Sequence, residues 1–148
     1  QLRIYDKKGE TRSYLGDGYL QAYNQFGERT IFLGTGTNGG GYLRTYNFSG
    51  QESIYIGTGA DSSGQIRIYD NAGETGSFLG SGYFRTYNRF GKMTTFIGNA
   101  TDGGGYLRTN NKFETETAFL GTNNANEGLI NLNDKFGQSF WIRLNKKN

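Results

Sequence analysis

The residues best equipped for chemistry in this chain are tyrosines and arginines in alternation. Tyr42, Arg44 and Tyr46 are spaced by two, as are Tyr83, Arg85 and Tyr87, and Tyr106 with Arg108 begins a third row. At strand spacing each row falls on one face of a sheet. Exposed, a row offers rings to sugar C–H faces and a guanidinium to hydroxyls or carboxylates. Buried, it is a cross-strand ladder with cation–π support. Recurrence in nearly every repeat favours the structural role and leaves recognition to the segments that vary. Those are "TNGG", "ADSSG", "ATDGG" and "NNANEG", which bring the small polar residues Asn38, Asp61, Asp102 and Asn124. The ligand-binding candidates are these residues with Tyr42, Arg44, Tyr83, Arg85, Tyr106 and Arg108.

Catalysis has little to work with. Histidine and cysteine are absent, which removes the usual general base, the Ser–His and Cys–His pairs, disulfides and thiolate zinc sites. Asp6, Asp70, Glu10, Glu28 and Glu74 recur beside one kind of turn. There they read as solvated turn residues, not as a glycosidase pair across a cleft. Asp61, Asp102 and Glu127 sit in separate loops, whereas calcium wants several oxygens in one. "GTGTNG" (34–39) matches a dinucleotide fingerprint, but no helix or βαβ unit follows it. No enzyme activity, cofactor or metal is expected.

The elements that must position these residues are repeated. "GYLRTYNFSGQESIYIG" (41–57) returns as "GYFRTYNRFGKMTTFIG" (82–98), and units start at Gly18, Gly41, Gly64, Gly82, Gly105 and Gly128. A first unit starts in register at Gln1 without its leading glycine, as expected of a piece of a longer array. Units are 18 or 23 residues long, the longer ones carrying a Gly-rich spacer, with a superperiod of 64. The whole of 1–148 is therefore one repeat array. The last unit, 128–148, holds the only tryptophan, Trp141, expected as a capping plug.

Within a unit, Asn or Asp followed three residues later by Gly (Asn24–Gly27, Asn47–Gly50, Asp70–Gly73, Asn88–Gly91, Asp134–Gly137) marks a type I turn closed by a G1 bulge. A hairpin of that geometry sets Tyr23 opposite Arg29, Ala22 opposite Thr30, Leu20 opposite Phe32 and Tyr19 opposite Leu33. Both faces then become apolar at the open end of each hairpin, and both need cover. A solenoid with one coil per unit would stack like charges such as Arg44 and Arg67 about 4.8 Å apart, at about 0.9 kcal/mol per pair in water. A hairpin succession spaces them two strands apart. The chain has no valine or proline but 11 tyrosines and 11 phenylalanines, so it builds a thin, aromatic sheet. The expected fold is all-β: tandem hairpins forming an elongated antiparallel fibre or prism, trimeric so that three copies cover both faces. A single-chain solenoid and a closed up-and-down barrel are the alternatives.

"GYLxxYNxxGxxxxxLG" with Gly-rich spacers resembles the hairpin repeats of bacteriophage tail fibres and of repeat-rich bacterial surface proteins. The resemblance covers nearly the whole chain through its turn and core residues. It implies a structural fibre or adhesin segment on a virion or cell surface, homo-oligomeric, holding weak glycan sites at fixed spacing. A monomeric carbohydrate-binding repeat domain is the alternative. The net charge of +3 is spread evenly, so nucleic acid is not an expected partner. No apolar run approaches the roughly 20 residues of a membrane span, so membrane insertion is not expected.

Overall fold

The structure, a computed structural model, describes residues 1–37, 39–123 and 125–144, with 142–144 described by backbone alone. Fourteen strands follow in chain order: β1 Leu2–Tyr5, β2 Thr11–Gly16, β3 Tyr19–Tyr23, β4 Arg29–Thr35, β5 Gly41–Tyr46, β6 Glu52–Thr58, β7 Gly64–Tyr69, β8 Thr75–Gly80, β9 Tyr83–Tyr87, β10 Met93–Asn99, β11 Gly105–Asn110, β12 Glu116–Thr122, β13 Gly128–Asn133 and β14 Ser139–Leu144. They form one antiparallel meander in that linear order. The order is that of neither a closed barrel nor a solenoid. Two compact units divide the chain, Gln1–Thr75 and Gly76–Asn148.

The Asn/Asp turns form as the sequence predicts. In the turn 24–28, the Asn24 amide donates to Glu28 O at 2.9 Å and the Gly27 amide donates to Asn24 O at 3.1 Å. Gly27 sits at φ 81°, the left-handed geometry of a G1 bulge. The spacers turn in the same way, the Gly59 amide donating to Ser63 O at 2.7 Å and the Ala100 amide to Gly104 O at 2.7 Å. The extra residues of the long units are therefore tight turns and strand extensions. The short units instead use two-residue turns, Asp17-Gly18 and Ser81-Gly82, with positive φ at both positions, as a type I′ turn requires.

One residue per hairpin departs from the predicted register. Tyr23 does face Arg29, but Ala22 faces Ile31, Gln21 faces Phe32 and Leu20 faces Leu33. Thr30 is an extra, bulged residue, and the same shift occurs in β5–β6, β9–β10 and β11–β12. A hydroxyl holds several of these bulges: Thr30 Oγ1 donates to Ala22 O at 3.3 Å, Thr94 Oγ1 to Thr86 O at 3.3 Å and Thr117 Oγ1 to Thr109 O at 3.2 Å. Because side chains alternate with period two, a one-residue slip moves every later side chain to the other face.

The correction sorts the two faces. One is aliphatic: Leu2, Leu15, Leu20, Leu33, Leu43, Ile56 and Ile66 run across the first unit, and Phe84, Ile97, Leu107, Leu120 and Ile130 across the second. The other alternates arginine with aromatic rings: Phe32, Arg44, Tyr55 and Arg67, then Phe78, Arg85, Phe96, Arg108 and Phe119. The arginines thus stand two strands apart with a ring between them.

The only buried apolar side chains among the described residues, Tyr14 and Phe96, belong to the aromatic face. The aliphatic face is open, with Leu33 at 50 % and Leu120 at 52 % exposure. Cover is therefore lacking on one face, not on both. Trp141 pairs with Leu132 on that same face and is 42 % exposed.

Glycines opposite tyrosines make the aromatic face possible. A Cβ on Gly98 would lie 2.5 Å from Tyr83 Cβ, whereas one on Gly105 would meet nothing within 4 Å. Gly98→Ala is expected to lower stability by roughly 1–3 kcal/mol, and Gly105→Ala to stay within about 0.5 kcal/mol of the parent. Urea unfolding midpoints of the two variants check this.

Candidate functional site

Each Tyr–Arg–Tyr row lies on one face, as predicted, but its rings are not open platforms. In the first unit Tyr14, Tyr19, Phe32, Tyr42 and Tyr55 stand in a continuous stack with centroid spacings of 5.1, 5.4, 5.2 and 5.8 Å. In the second, Phe78, Tyr83, Phe96, Tyr106 and Phe119 follow at 5.2, 5.5, 4.7 and 5.4 Å. Tyr42, Tyr83 and Tyr106 therefore have a ring against each face. Each stands across from strand glycines, Gly34 and Gly57 in the case of Tyr42. The missing Cβ gives the rings their room.

The arginines lie over this stack. Arg44 Cζ is 4.8 Å from the Tyr42 centroid and 5.5 Å from that of Tyr55, and Arg85 Cζ is 4.2 Å from Tyr83 and 5.4 Å from Phe96. Arg108 lies 6.0 Å from Phe96. The Nε atoms of Arg44, Arg85 and Arg108 are buried without a hydrogen bond among the described residues, as happens when guanidinium groups pack on ring faces. These six residues pack against rings of the neighbouring strands.

In the first unit the face opens into a cleft of about 570 Å³ beside Tyr42, Arg44, Glu52, Tyr55, Arg67 and Tyr69. Arg44 pairs with Glu52 at 3.3 Å, and the Tyr55 hydroxyl donates to Thr58 O at 2.8 Å. Burial, with the nearby Glu52 carboxylate, pushes the Tyr69 phenol up. Turn residues Gly36, Thr37 and Ala60 form part of the rim, so here the structure brings a tyrosine row together with two of the spacers. One superperiod later the matching positions are Phe119, Leu129, Asn131 and Asn133 in place of Tyr55, Gln65, Arg67 and Tyr69.

The spacer acids are used locally. Asp61 Oδ1 accepts from the Ser63 amide at 3.1 Å and from its hydroxyl at 2.6 Å, and Asp102 Oδ1 accepts from the Gly104 amide at 3.0 Å. Asn38 and Asn124 lie outside the described residues. Asp6 and Asp70 likewise accept from amides of their own turns, and those amides with Arg12 lower the Asp6 pKa.

Two features escaped the sequence reading. Asn110 and Asn133, which stand where other units have Tyr46, Tyr69 or Tyr87, tie neighbouring hairpins together: Asn110 Nδ2 donates to Met93 O at 3.0 Å and Asn133 Nδ2 to Glu116 O at 3.3 Å. Phenylalanines at the turns, Phe26, Phe48, Phe90, Phe113 and Phe136, are the other. They are among the most exposed large apolar side chains of the described residues, from 63 to 89 %, and the "F-G", "F-E" and "F-S" turn pairs were the available signal. No family model matches the chain, and no curated protein is similar to it in sequence.

The stack of the first unit ends in a charged clamp. The Tyr14 hydroxyl donates to Asp17 Oδ2 at 2.8 Å, and Gln1 Nε2 donates to the same oxygen at 3.1 Å. The bond to Asp17 is the main cause that pushes the Tyr14 phenol up to about 12, and the same bond, followed by that of Gln1, lowers Asp17. The Asp17 contribution to stability is present above the ordinary carboxylate pKa and lost as pH falls through its lowered value. That of Tyr14 is present below about pH 10 and lost as pH rises through the raised value. Urea midpoints measured against pH should show both losses in the parent and smaller ones in Asp17→Asn.

Proposed function

We propose that the chain is a structural segment of a fibre or adhesin displayed on a virion or cell surface. Copies assemble through the aliphatic face, three around a common axis, and turn the aromatic–arginine face outward. The open aliphatic face carries this reading. A single sheet needs a second layer against one face, and the rows from Leu2 to Ile66 and from Phe84 to Ile130 have none within their own units. The accessible surface of 10144 Å² compares with about 7,600 Å² for a folded monomer of this mass. A second copy offers the same rows at the same spacing, the self-complementary situation from which symmetric oligomers are built. The number three rests on the resemblance to tail-fibre repeats. Fixed copies multiply weak contacts by avidity.

Sedimentation velocity with light scattering tests the assembly, with a particle of three chains as the expected result. Leu33→Glu with Leu120→Glu should shift it to monomer, because each variant places a charge in the covered layer. Phe26→Ser, at a turn, should leave the mass unchanged. A parent that stays monomeric at every concentration overturns the reading.

The cleft beside Arg44, Glu52 and Arg67 favours a second reading, carbohydrate binding by each chain. Guanidinium donors next to carboxylate and amide acceptors suit vicinal hydroxyls, and the size lies within the usual range of ligand pockets. Calorimetric titration with neutral hexasaccharides should then give saturable heat that falls about tenfold or more in affinity on Arg67→Ala, as loss of a charged hydrogen bond implies. Arg108→Ala, in the second unit, should leave it intact.

A further inference from the structure

The turn edge of the second unit carries a row of exposed phenylalanines. Phe90, Phe113 and Phe136 are 63, 73 and 71 % exposed. Each is the third residue of a five-residue turn and is preceded by a cation: Arg89 Cζ lies 4.8 Å from the Phe90 centroid, and Lys112 and Lys135 Nζ lie 4.9 Å from those of Phe113 and Phe136. The turns come from β9–β10, β11–β12 and β13–β14, so successive tips stand two strands apart, about 9.6 Å.

The row is held rigidly. Within each turn the first side chain accepts from the phenylalanine amide: Asn88 Oδ1 from Phe90 at 2.9 Å, Asn111 Oδ1 from Phe113 at 2.9 Å and Asp134 Oδ1 from Phe136 at 2.8 Å. Between turns, Asn111 Nδ2 donates to Lys135 O at 3.0 Å, and Glu114 joins its neighbour by accepting from the Met93 amide at 3.0 Å and pairing with Lys92 at 3.1 Å. The first unit lacks the pattern. Phe26 follows Gln25, Phe48 stands second in its turn, and the turns at Asp6 and Asp70 have no phenylalanine.

The edge therefore offers chiefly protruding rings and positive charge, since the Asn88, Asn111 and Asp134 side chains are spent on the amides of their own turns. Arg89, Lys92, Lys112 and Lys135 stand against Glu114 and Asp134, an excess of two positive charges. A row of projecting tips has no concavity to hold a small ligand, but it suits a surface that yields. Aromatic rings are favoured at the boundary between lipid headgroups and acyl chains, and adjacent cations are favoured at anionic headgroups. We propose that this edge is a peripheral anchor for an anionic lipid surface, with Phe90, Phe113 and Phe136 entering the interface and Arg89, Lys112 and Lys135 meeting phosphate.

The test is co-sedimentation of the full chain with vesicles of phosphatidylcholine alone or with about 30 mol % phosphatidylserine. Binding is expected to the anionic vesicles, weakening as salt rises from about 0.1 to about 0.5 M. Phe90→Ser, Phe113→Ser and Phe136→Ser together should reduce it about thirtyfold or more, as the loss of three interfacial rings requires. All three side chains are exposed, so the circular dichroism and solution mass of the triple variant should match the parent. Lys112→Gln with Lys135→Gln should weaken binding and flatten its salt dependence. Absence of binding to anionic vesicles at low salt overturns the proposal, as does equal binding by the triple variant. Retention on heparin that the serine substitutions leave unchanged, without vesicle binding, also overturns it and identifies the edge as a site for soluble polyanions.

Discussion

A Cβ on Gly34, Gly57 or Gly98 would fall between 2.5 and 2.9 Å from Cβ of the tyrosine on the neighbouring strand, and the aromatic face depends on these atoms being absent. With bare backbone beneath them, Tyr19, Tyr42, Tyr83 and Tyr106 lie close to the sheet and accept a ring on each face. The stack propagates from strand to strand at spacings of 4.7 to 5.8 Å. A single layer of sheet has no interior to draw on, so cross-strand stacking supplies what a core would otherwise provide. Arginine completes the arrangement by lying over the rings and keeping its charge at the rim.

The two faces then have unequal needs. The aromatic face covers itself, since rings shield rings and arginine stems shield both, and it holds the only buried apolar side chains among the described residues. Leucine and isoleucine on the other face cannot do this. They project from the pleat without stacking sideways, and half of each of Leu33, Leu120 and Leu15 remains in water. One face is thus finished within the chain, and the other asks for a second layer. Polarity alone would not separate them, because both are rich in apolar residues.

The turns are as regular as the strands. One hydrogen-bond pattern recurs at the Asn/Asp edge and in the glycine-rich spacers, and where glycine is missing, Glu114, Ser62 and Asn126 take positive φ instead. Asparagine and glutamate side chains of the second unit also reach the next hairpin. Neighbouring turns are thereby tied side by side in a row.

The sequence by itself determined the repeat, the antiparallel hairpins, the turn chemistry and the sharing of a face by Tyr42, Arg44 and Tyr46. Each of these is local, set by Asn, Asp and Gly at fixed offsets and by alternation within one strand. The pairing beyond the turn was not legible. One unpaired residue such as Thr30 or Ser53 reverses which face meets which, and its only local mark is a hydroxyl that bonds a carbonyl across the strand pair or, in Ser53, a threonine hydroxyl there. From that slip follow the mainly aliphatic face, the closing of both ring faces of Tyr42, and the difference between a stacking platform and a stacked ladder. The cleft at Arg44 and Arg67 needed three strands side by side, and the row of Phe90, Phe113 and Phe136 needed three consecutive hairpins. Those juxtapositions belong to the sheet, because residues 23 apart become neighbours only when every strand between them is in register.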